Sequence, residues 1–408
     1  MSTVLRRFAD LPTDRNASGR SFGAEERGYL EEVLTAGSLN SNSGQMVRRF
    51  EERWAERCER EHAICCSSGS FAVQAAIAAL ELQPGDEVIT TTVTDFGALA
   101  AVVYEGLVPR FCDVDPDTLM PTAATIEEAW TEKVRAVVLT HLFGQAARME
   151  EVSRLCCARG VSLIEDAAQA TESFDRGTRA GTVGRLSCWS FQQGKHMSCG
   201  EGGAVTCAEP ELARRVRLFV NKAWPYGEPD PDHMFFAPNG RMTELQAAVL
   251  HGQLDKLDTM IAARRASADA FLAELVGLRG VAAPELEAGD QHSYWRLGLW
   301  VDPASVEGGA TALGAALREL GISCAPHYVG RPAFELLAFQ KRLSFGGSGF
   351  PWRRPGEPEL PLEDRKDFPG TVQGLERVLV LPWNERISPE LGAELGRAVR
   401  EAAEELAR

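Results

Sequence analysis

One lysine stands out as a possible covalent catalyst. Lys195 ends the segment Ser190-Phe-Gln-Gln-Gly-Lys195, which leaves a predicted strand and enters a turn before the glycine-rich stretch 200–203. Removal from water lowers the pKa of an amine, so a lysine in such a turn keeps a nucleophilic neutral fraction suited to a Schiff base. The chain contains only six lysines, so few others compete for this role. The ordinary alternative is an exposed surface lysine.

Two further groups have spacing that suits ligand chemistry. Asp166 stands just past the carboxyl edge of a predicted parallel strand, where open α/β sheets bind their ligands, and it could pair with a protonated ring nitrogen. The segment 67–70 precedes a helix predicted to open at Phe71, so it offers an anion site at a helix N-terminus. Taken singly, Asp166 or Ser70 is equally well explained as a helix cap. A lysine, a carboxylate and a phosphate cradle together indicate a pyridoxal phosphate pocket.

The elements that would position these groups alternate between strands and helices from about residue 60 to 210. That order predicts an α/β domain with a mainly parallel sheet. Helical patterns occupy 71–80 and 149–159. The predicted strands are the short apolar runs 62–66, 87–90, 108–112, 135–139, 161–164 and 187–191.

The second half of the chain predicts a smaller α+β domain. A helical pattern over 243–275 connects the two parts, and 345–367 is predicted as a long surface loop. The elements expected in the smaller domain are a strand at 295–301, a helix at 310–320, a strand at 378–381 and a final helix at 389–407. We expect an N-terminal arm and first helix over 1–40, a large domain with the connecting helix over 41–260, and a small domain over 261–408.

Charge, hydropathy and cysteine spacing argue against several classes of protein. The 43 basic and 58 acidic residues give a net charge of −15, which disfavours binding to nucleic acid or to an anionic membrane. The N-terminus lacks an apolar signal region and no apolar run reaches about 18 residues, so we expect a cytoplasmic protein. The ten cysteines lack zinc-site spacing, so we expect reduced thiols and no metal site.

A set of motifs, taken in order over roughly residues 35 to 390, resembles the DegT/DnrJ/EryC1/StrS aminotransferases. The motifs are Ser68-Gly69-Ser70, Pro84-Gly85-Asp86-Glu87-Val88, Asp113-Val114-Asp115-Pro116, Thr140-His141-Leu142-Phe143-Gly144, Glu165-Asp166-Ala167-Ala168-Gln169, Ser190 to Lys195, Gly200 to Gly203, and Asn239-Gly240-Arg241. The resemblance implies a fold-type I pyridoxal phosphate enzyme, usually a homodimer with shared active sites. It also implies amino transfer from glutamate or glutamine to a keto-sugar or keto-cyclitol, in sugar or antibiotic biosynthesis.

The resemblance also implies roles for particular residues. Lys195 matches the lysine that holds the cofactor covalently and shuttles the proton, and Asp166 matches the carboxylate on the pyridine nitrogen. The remaining expected cofactor contacts are Gln169 beside the ring, Gly69, Ser70 and Ser190 on the phosphate, and Asn239 on the phosphate of the neighbouring subunit. His327, Tyr328 and Arg241 are the expected substrate contacts.

Two positions depart from the family pattern. Asp95 stands where the family usually has a ring stacked on the cofactor, so either Phe96 takes that role or Asp95 itself contacts cofactor or substrate. Gly240 replaces a family aromatic residue and could enlarge the pocket. Because of the altered 95 segment, two alternatives stay open. One is a related enzyme of elimination, racemisation or carbon–carbon chemistry, and the other is a non-catalytic binding protein.

Overall fold

The computed structural model describes residues 7–8 and 10–407. Its α-helices are α1 (Ala24–Ala36), α2 (Met46–Arg57), α3 (Gly69–Ala79), α4 (Phe96–Tyr104), α5 (Ala123–Glu128), α6 (Met149–Arg159), α7 (Pro210–Val220), α8 (Glu244–Ala273), α9 (Gly309–Glu319), α10 (Leu337–Gln340), α11 (Pro369–Arg377) and α12 (Pro389–Glu405). Short 3-10 helices lie at Ala333–Glu335, Phe345–Gly347 and Arg365–Asp367.

The strands contain two to seven residues each. They are β1 (His62–Cys66), β2 (Glu87–Thr91), β3 (Val108–Cys112), β4 (Val134–Thr140), β5 (Ser162–Asp166), β6 (Phe174–Asp175), β7 (Thr178–Arg179), β8 (Leu186–Ser190), β9 (Gly203–Cys207), β10 (Val281–Ala282), β11 (Arg296–Val301), β12 (Ala325–Pro326) and β13 (Val378–Pro382).

A seven-stranded sheet in the order β1-β9-β8-β5-β4-β2-β3 forms the centre of the large domain. All its strands run parallel except β9, which is antiparallel to both β1 and β8. The expected α/β class with a mainly parallel sheet is confirmed. Strands β1, β5 and β8 therefore end at one edge of the sheet, at Cys66, Asp166 and Ser190, which brings three distant motifs together.

Helix α3 lies against this edge because its sequence allows a close approach. Four of its six buried positions are alanine, which leaves little side chain between the helix and strands β8 and β9. The N-terminus of α3 consequently sits beside the end of β8, so the helix dipole points its positive end at that edge.

A four-stranded antiparallel sheet, in the order β10-β11-β13-β12, forms the second domain. The 30-residue helix α8 begins at a capping box between Thr243 and Gln246 and packs against both α1 and α12. The expected domain boundary at residue 260 lies inside α8, so this helix is shared by the two domains. Within the described ranges, no helix combines the length and the apolar character needed to span a bilayer.

The segment expected to be a long surface loop is partly packed. Trp352 within it is 6% exposed and takes part in an aromatic cluster with Phe339. The buried Arg342 donates to the carbonyl of Leu360. The segment therefore forms one wall of a groove beside α4, although its stretch around 355–359 is exposed.

Candidate active site

Lys195 sits in a turn that its own backbone closes. Its N–H donates to the Gln192 carbonyl at 2.9 Å, and the amine lies 4.3 Å from the centre of the Trp295 ring. Trp295 is held in turn by a 2.6 Å hydrogen bond from its Nε1 to the Gly194 carbonyl. Burial lowers the pKa of Lys195 to about 8, and the nearby positive charge of Arg296 adds to this. The amine is therefore partly neutral near physiological pH.

Asp166 is the last residue of β5 and is 7% exposed. One of its carboxylate oxygens accepts from the N–H of Ala168 at 3.2 Å. Burial raises the pKa of this carboxyl, and the charge of Lys195 partly offsets the rise. A buried carboxylate with an oxygen to spare favours a cationic hydrogen-bond donor as its ligand.

A buried pair behind Asp166 fixes the edge of the sheet. His141 Nε2 lies 3.0 Å from Glu165, and His141 Nδ1 accepts from the N–H of Ala147 at 3.0 Å, so the proton belongs on Nε2. Glu165 also accepts three backbone N–H groups from the turn 181–184 at 2.6 to 2.8 Å. Burial acts to raise the pKa of Glu165, but these hydrogen bonds hold it below its usual range. The network fixes the strand end that carries Asp166.

The N-terminus of α3 has backbone donors available for an anion. Ser68, not Ser70, caps the helix, because its hydroxyl accepts from the N–H of Phe71 at 3.1 Å. The N–H groups of Gly69 and Ser70 make no hydrogen bond within the described part of the chain. A Cβ at Gly69 would lie 2.6 Å from the Cβ of Ser190, so the glycine permits α3 and β8 to meet. Two backbone donors and the Ser70 and Ser190 side chains thus lie at one edge.

Asp95 and Phe96 point to different places. Asp95 caps α4 by accepting from the N–H of Gly97 at 2.8 Å, and its charge acts to raise the pKa of Lys195. Phe96 is 47% exposed and packs edge-on to Phe339, with ring centres 6.2 Å apart, in the groove beside α4. Of the two arrangements that the sequence leaves open, this geometry favours Asp95 as the residue beside the lysine.

Gln169 and Tyr328 lie beside each other and both contact Phe143. Gln169 Oε1 accepts from the N–H of Phe143 at 3.1 Å, and its Nε2 lies 3.5 Å from the hydroxyl of Tyr328. The Tyr328 ring meets Phe143 edge-on at 4.7 Å. Burial raises the pKa of Tyr328 to about 12, so the hydroxyl keeps its proton and can donate.

The structure does not bring His327 into this cluster. Its Nδ1 lies 2.9 Å from the Leu375 carbonyl and its Nε2 lies 2.8 Å from the Thr311 hydroxyl, so both ring nitrogens are used. His327 and Tyr328 have φ angles of 63° and 49°. Two successive left-handed residues turn the backbone sharply, and the two neighbouring side chains make contacts in different places.

Asn239 and Arg241 lie elsewhere in the chain as described. Asn239 is exposed and forms a β-bridge with Asn221. Arg241 lines a cavity of about 380 Å³ together with Arg48, Asn221 and Trp224. Within the described residues, neither side chain contacts the cluster around Lys195.

Gly240 does not enlarge a pocket. It is buried, and a Cβ at this position would overlap the ring of Phe71. The Gly240 carbonyl also accepts from the N–H of Ser67 at 2.7 Å, which ties this segment to the start of α3. The space that an aromatic side chain would need at position 240 is filled by Phe71.

Three residues of the site escaped the sequence analysis. Trp295 and Arg296 flank Lys195 from the start of β11, and Arg296 Nη1 donates to Asp14 Oδ2 at 3.0 Å. Asp14 belongs to the N-terminal arm, and its carbonyl accepts from the Gln193 side chain at 2.7 Å. A tryptophan and an arginine opening an otherwise apolar strand were the available signal. The sequence has no feature that pairs them with Asp14.

Comparison with known proteins places the chain in a family of aminotransferases. The model of the DegT/DnrJ/EryC1/StrS aminotransferase family matches residues 20–349. The chain is 32% identical over 293 residues to GDP-perosamine synthase of Caulobacter vibrioides, covering 71% of this chain and 77% of that enzyme. It is 33% identical over 312 residues to L-glutamine:2-deoxy-scyllo-inosose aminotransferase of Streptomyces fradiae, covering 73% of each.

The fold also has solved relatives. The crystal structure of DesV from S. venezuelae, in complex with a ketimine intermediate, superposes with a TM-score of 0.80 at 30% identity. The superposition covers 93% of this chain and 95% of DesV. At this coverage the match extends over both domains.

Proposed function

Because the chain belongs to the DegT/DnrJ/EryC1/StrS aminotransferase family and is a transaminase of fold type I, we propose that it uses pyridoxal phosphate to carry an amino group from glutamate or glutamine to a keto-sugar or keto-cyclitol. The family and the fold type expected from the sequence are confirmed. The observation that carries the proposal is the half-buried Lys195 within the electrostatic influence of the buried Asp166, together with the open donors of α3.

The residues present fit this cofactor. The amine of Lys195 makes no hydrogen bond within the described residues, and Asp166 has an oxygen to spare. The absence of a Cβ at Gly69 lets the α3 N-terminus approach Ser190, and the N–H groups of Gly69 and Ser70 have no partner among the described residues. Asp166 would hold the ring nitrogen, and the α3 N-terminus with Ser70 and Ser190 would hold the phosphate. The Nε2 of Gln169 would donate to the phenolic oxygen of the ring.

Pyridoxal phosphate, when bound, supplies an electron sink that allows an amino group to be exchanged between two carbon skeletons. The chain supplies the proton chemistry. With a pKa near 8, Lys195 can accept a proton from a donor carbon and return it to an acceptor without needing strongly basic conditions. Asp166 would keep the ring nitrogen protonated, because an isolated buried carboxylate is costly and a cationic partner relieves that cost.

The acceptor class rests on the relatives. The Caulobacter enzyme is named for an amino sugar and the Streptomyces fradiae enzyme for a cyclitol, so both classes remain within the proposal. Asp95, beside Lys195, adds a carboxylate that can accept hydrogen bonds from acceptor hydroxyl groups.

The cofactor is tested by borohydride reduction of the purified protein loaded with pyridoxal phosphate, followed by mass spectrometry of the Lys195 peptide. We expect a covalent adduct on Lys195 in the native protein and in the exposed control Lys341→Ala, but none in Lys195→Ala. An adduct absent from the native protein, or spread over other lysines, would contradict the proposal.

The reaction is tested with keto-sugars and keto-cyclitols as acceptors. We expect acceptor-dependent conversion of glutamate to 2-oxoglutarate, or of glutamine to its keto amide, with one amine formed for each donor consumed. Product without donor consumption would instead indicate elimination or racemisation.

We further propose a homodimer in which each site borrows Asn239 and Arg241 from the partner. The support is that Asn239 is exposed and that Arg241 lines a cavity whose lining does not include Lys195 of the same chain. Mixing Lys195→Ala chains with Asn239→Ala chains should restore activity, because a mixed dimer contains one site with both native residues. If the mixture stays as inactive as its components, the shared site is refuted.

A further inference from the structure

We propose that Arg296 binds the carboxylate of the amino donor. This inference rests on the proposed function, and it assigns a position for the donor within that site. Arg296 opens strand β11 in the small domain, far from Lys195 in the sequence, and its place beside the lysine follows only from the fold.

Trp295 sets the distance between the two cationic groups. The amine of Lys195 lies 4.3 Å from the centre of the Trp295 ring, and the guanidinium carbon of Arg296 lies 4.6 Å from the same centre. The Lys195 nitrogen and the Arg296 guanidinium carbon therefore lie at most about 9 Å apart. An α-amino acid whose nitrogen stands near the Lys195 amine brings its carboxylate within reach of that guanidinium.

The guanidinium has donors to spare. Its side chain is 22% exposed, and Nη1 donates to Asp14 at 3.0 Å. Within the described residues, its other N–H groups make no hydrogen bond. Arg296 and Tyr328 both line a cavity of about 540 Å³ that also borders the N-terminal arm. A planar fork of N–H groups facing open space matches the two oxygens of a carboxylate.

The surrounding charges favour an added anion. Asp14 is shared by three guanidinium groups, those of Arg296 at 3.0 Å, Arg264 at 3.8 Å and Arg20 at 4.0 Å. Glu385, 2.8 Å from Arg264, is the second carboxylate of this cluster. Three cations against two anions leave one positive charge without a counterion. Because Arg20 and Arg264 are fully buried, Arg296 is the member that a ligand can reach.

The test separates carboxylate binding from catalysis. Succinate, which has neither an amine nor a ketone, is titrated calorimetrically into the cofactor-loaded protein, its Arg296→Gln variant and the control Arg331→Gln. Arg331 is exposed in the same domain and has no hydrogen bond within the described residues. We expect Arg296→Gln to weaken succinate binding about 10- to 100-fold, as for the loss of a charge-assisted hydrogen bond. The control should match the native protein.

Single-turnover kinetics give the second readout. For Arg296→Gln the dissociation constant of glutamate should rise by the same factor, while that of the keto acceptor stays unchanged. Arg296→Lys keeps the positive charge but lacks the paired N–H groups of a guanidinium. Its dissociation constant for glutamate should therefore lie between those of the native protein and Arg296→Gln. This variant replaces Arg296→Gln if that protein does not fold.

Equal succinate affinity in the native protein and both Arg296 variants would overturn the assignment, as would equal weakening of donor and acceptor. Failure of the proposed function looks different. In that case no Lys195 adduct forms with pyridoxal phosphate, whatever residue stands at position 296.

Discussion

Replacing Lys195 by methionine should stabilise the cofactor-free protein below pH 8. The side chains are similar in length, but methionine carries no charge. The folded chain lowers the pKa of this lysine from 10.5 to about 8 by burying it, so the protonated amine is disfavoured in the folded state. That difference corresponds to about 3 kcal/mol of stability lost to the native protein wherever the amine is charged in both states.

The pH dependence has a definite sign. Between pH 8 and 10.5 the unfolded chain holds the lysine proton and the folded chain has released it, so the native protein gains stability as the pH rises. The slope of the difference between native and variant should be about 1.4 kcal/mol per pH unit in that window. Below pH 8 the variant is the more stable by about 3 kcal/mol, and above 10.5 the electrostatic difference vanishes.

The assay is urea unfolding of both cofactor-free proteins across this pH range. The comparison is made as a difference because buried thiols and tyrosines also titrate here. Burial raises the pKa of Cys66 and of Tyr328 to about 12, for example, but these groups are present in both proteins. Lys341→Met, at an exposed position, provides the control and should give a flat difference. A flat difference for Lys195→Met would refute the buried, shifted amine on which the mechanism depends.

Three further outcomes are expected. Asp95→Asn retains the helix cap but removes a negative charge, so the pKa of Lys195 should fall below 8. The pH dependence of Lys195 acylation measures this pKa, and an unchanged value would place Asp95 outside the site. Gly69→Ala should weaken phosphate binding at least about 10-fold in equilibrium dialysis, because the new Cβ would meet Ser190. The control Gly28→Ala, whose new Cβ would have no atom within 4 Å, should bind phosphate as the native protein does. Glu165→Gln should lower the free energy of unfolding by about 3 kcal/mol, since an amide cannot replace a carboxylate that accepts four hydrogen bonds; unchanged urea unfolding would contradict this.

Local sequence pattern was sufficient for most of the elements. The apolar runs at 62–66 and 108–112 match β1 and β3 residue for residue, and the helix at 149–159 matches α6, because Gly160 ends it with a left-handed φ of 65°. Strand β9 was missed. It begins at Gly203, directly after a glycine-rich turn, and its antiparallel place between β1 and β8 depends on tertiary pairing.

In the site, too, local sequence pattern predicts some residues, whereas others depend on the tertiary fold. The positions of Lys195, Asp166 and Ser190 at strand ends or in a turn could be predicted, because each is recognisable within a few residues, whereas their roles stay a prediction. His327 could not be placed, because the left-handed backbone at 327 and 328 decides which of the two side chains lies beside Gln169. Arg296 needed the fold itself, since its partner Asp14 stands in an arm that carries no pattern of its own.

Positions 71 and 240 can change only together. The ring of Phe71 occupies the volume that a side chain at residue 240 would need, so a larger residue there is tolerated only after Phe71 has become smaller. That first step leaves a cavity beside the start of α3, which costs stability in the intermediate. Relatives that carry an aromatic residue at the position of Gly240 are therefore expected to carry a small one at that of Phe71. An engineered exchange must introduce both substitutions at once.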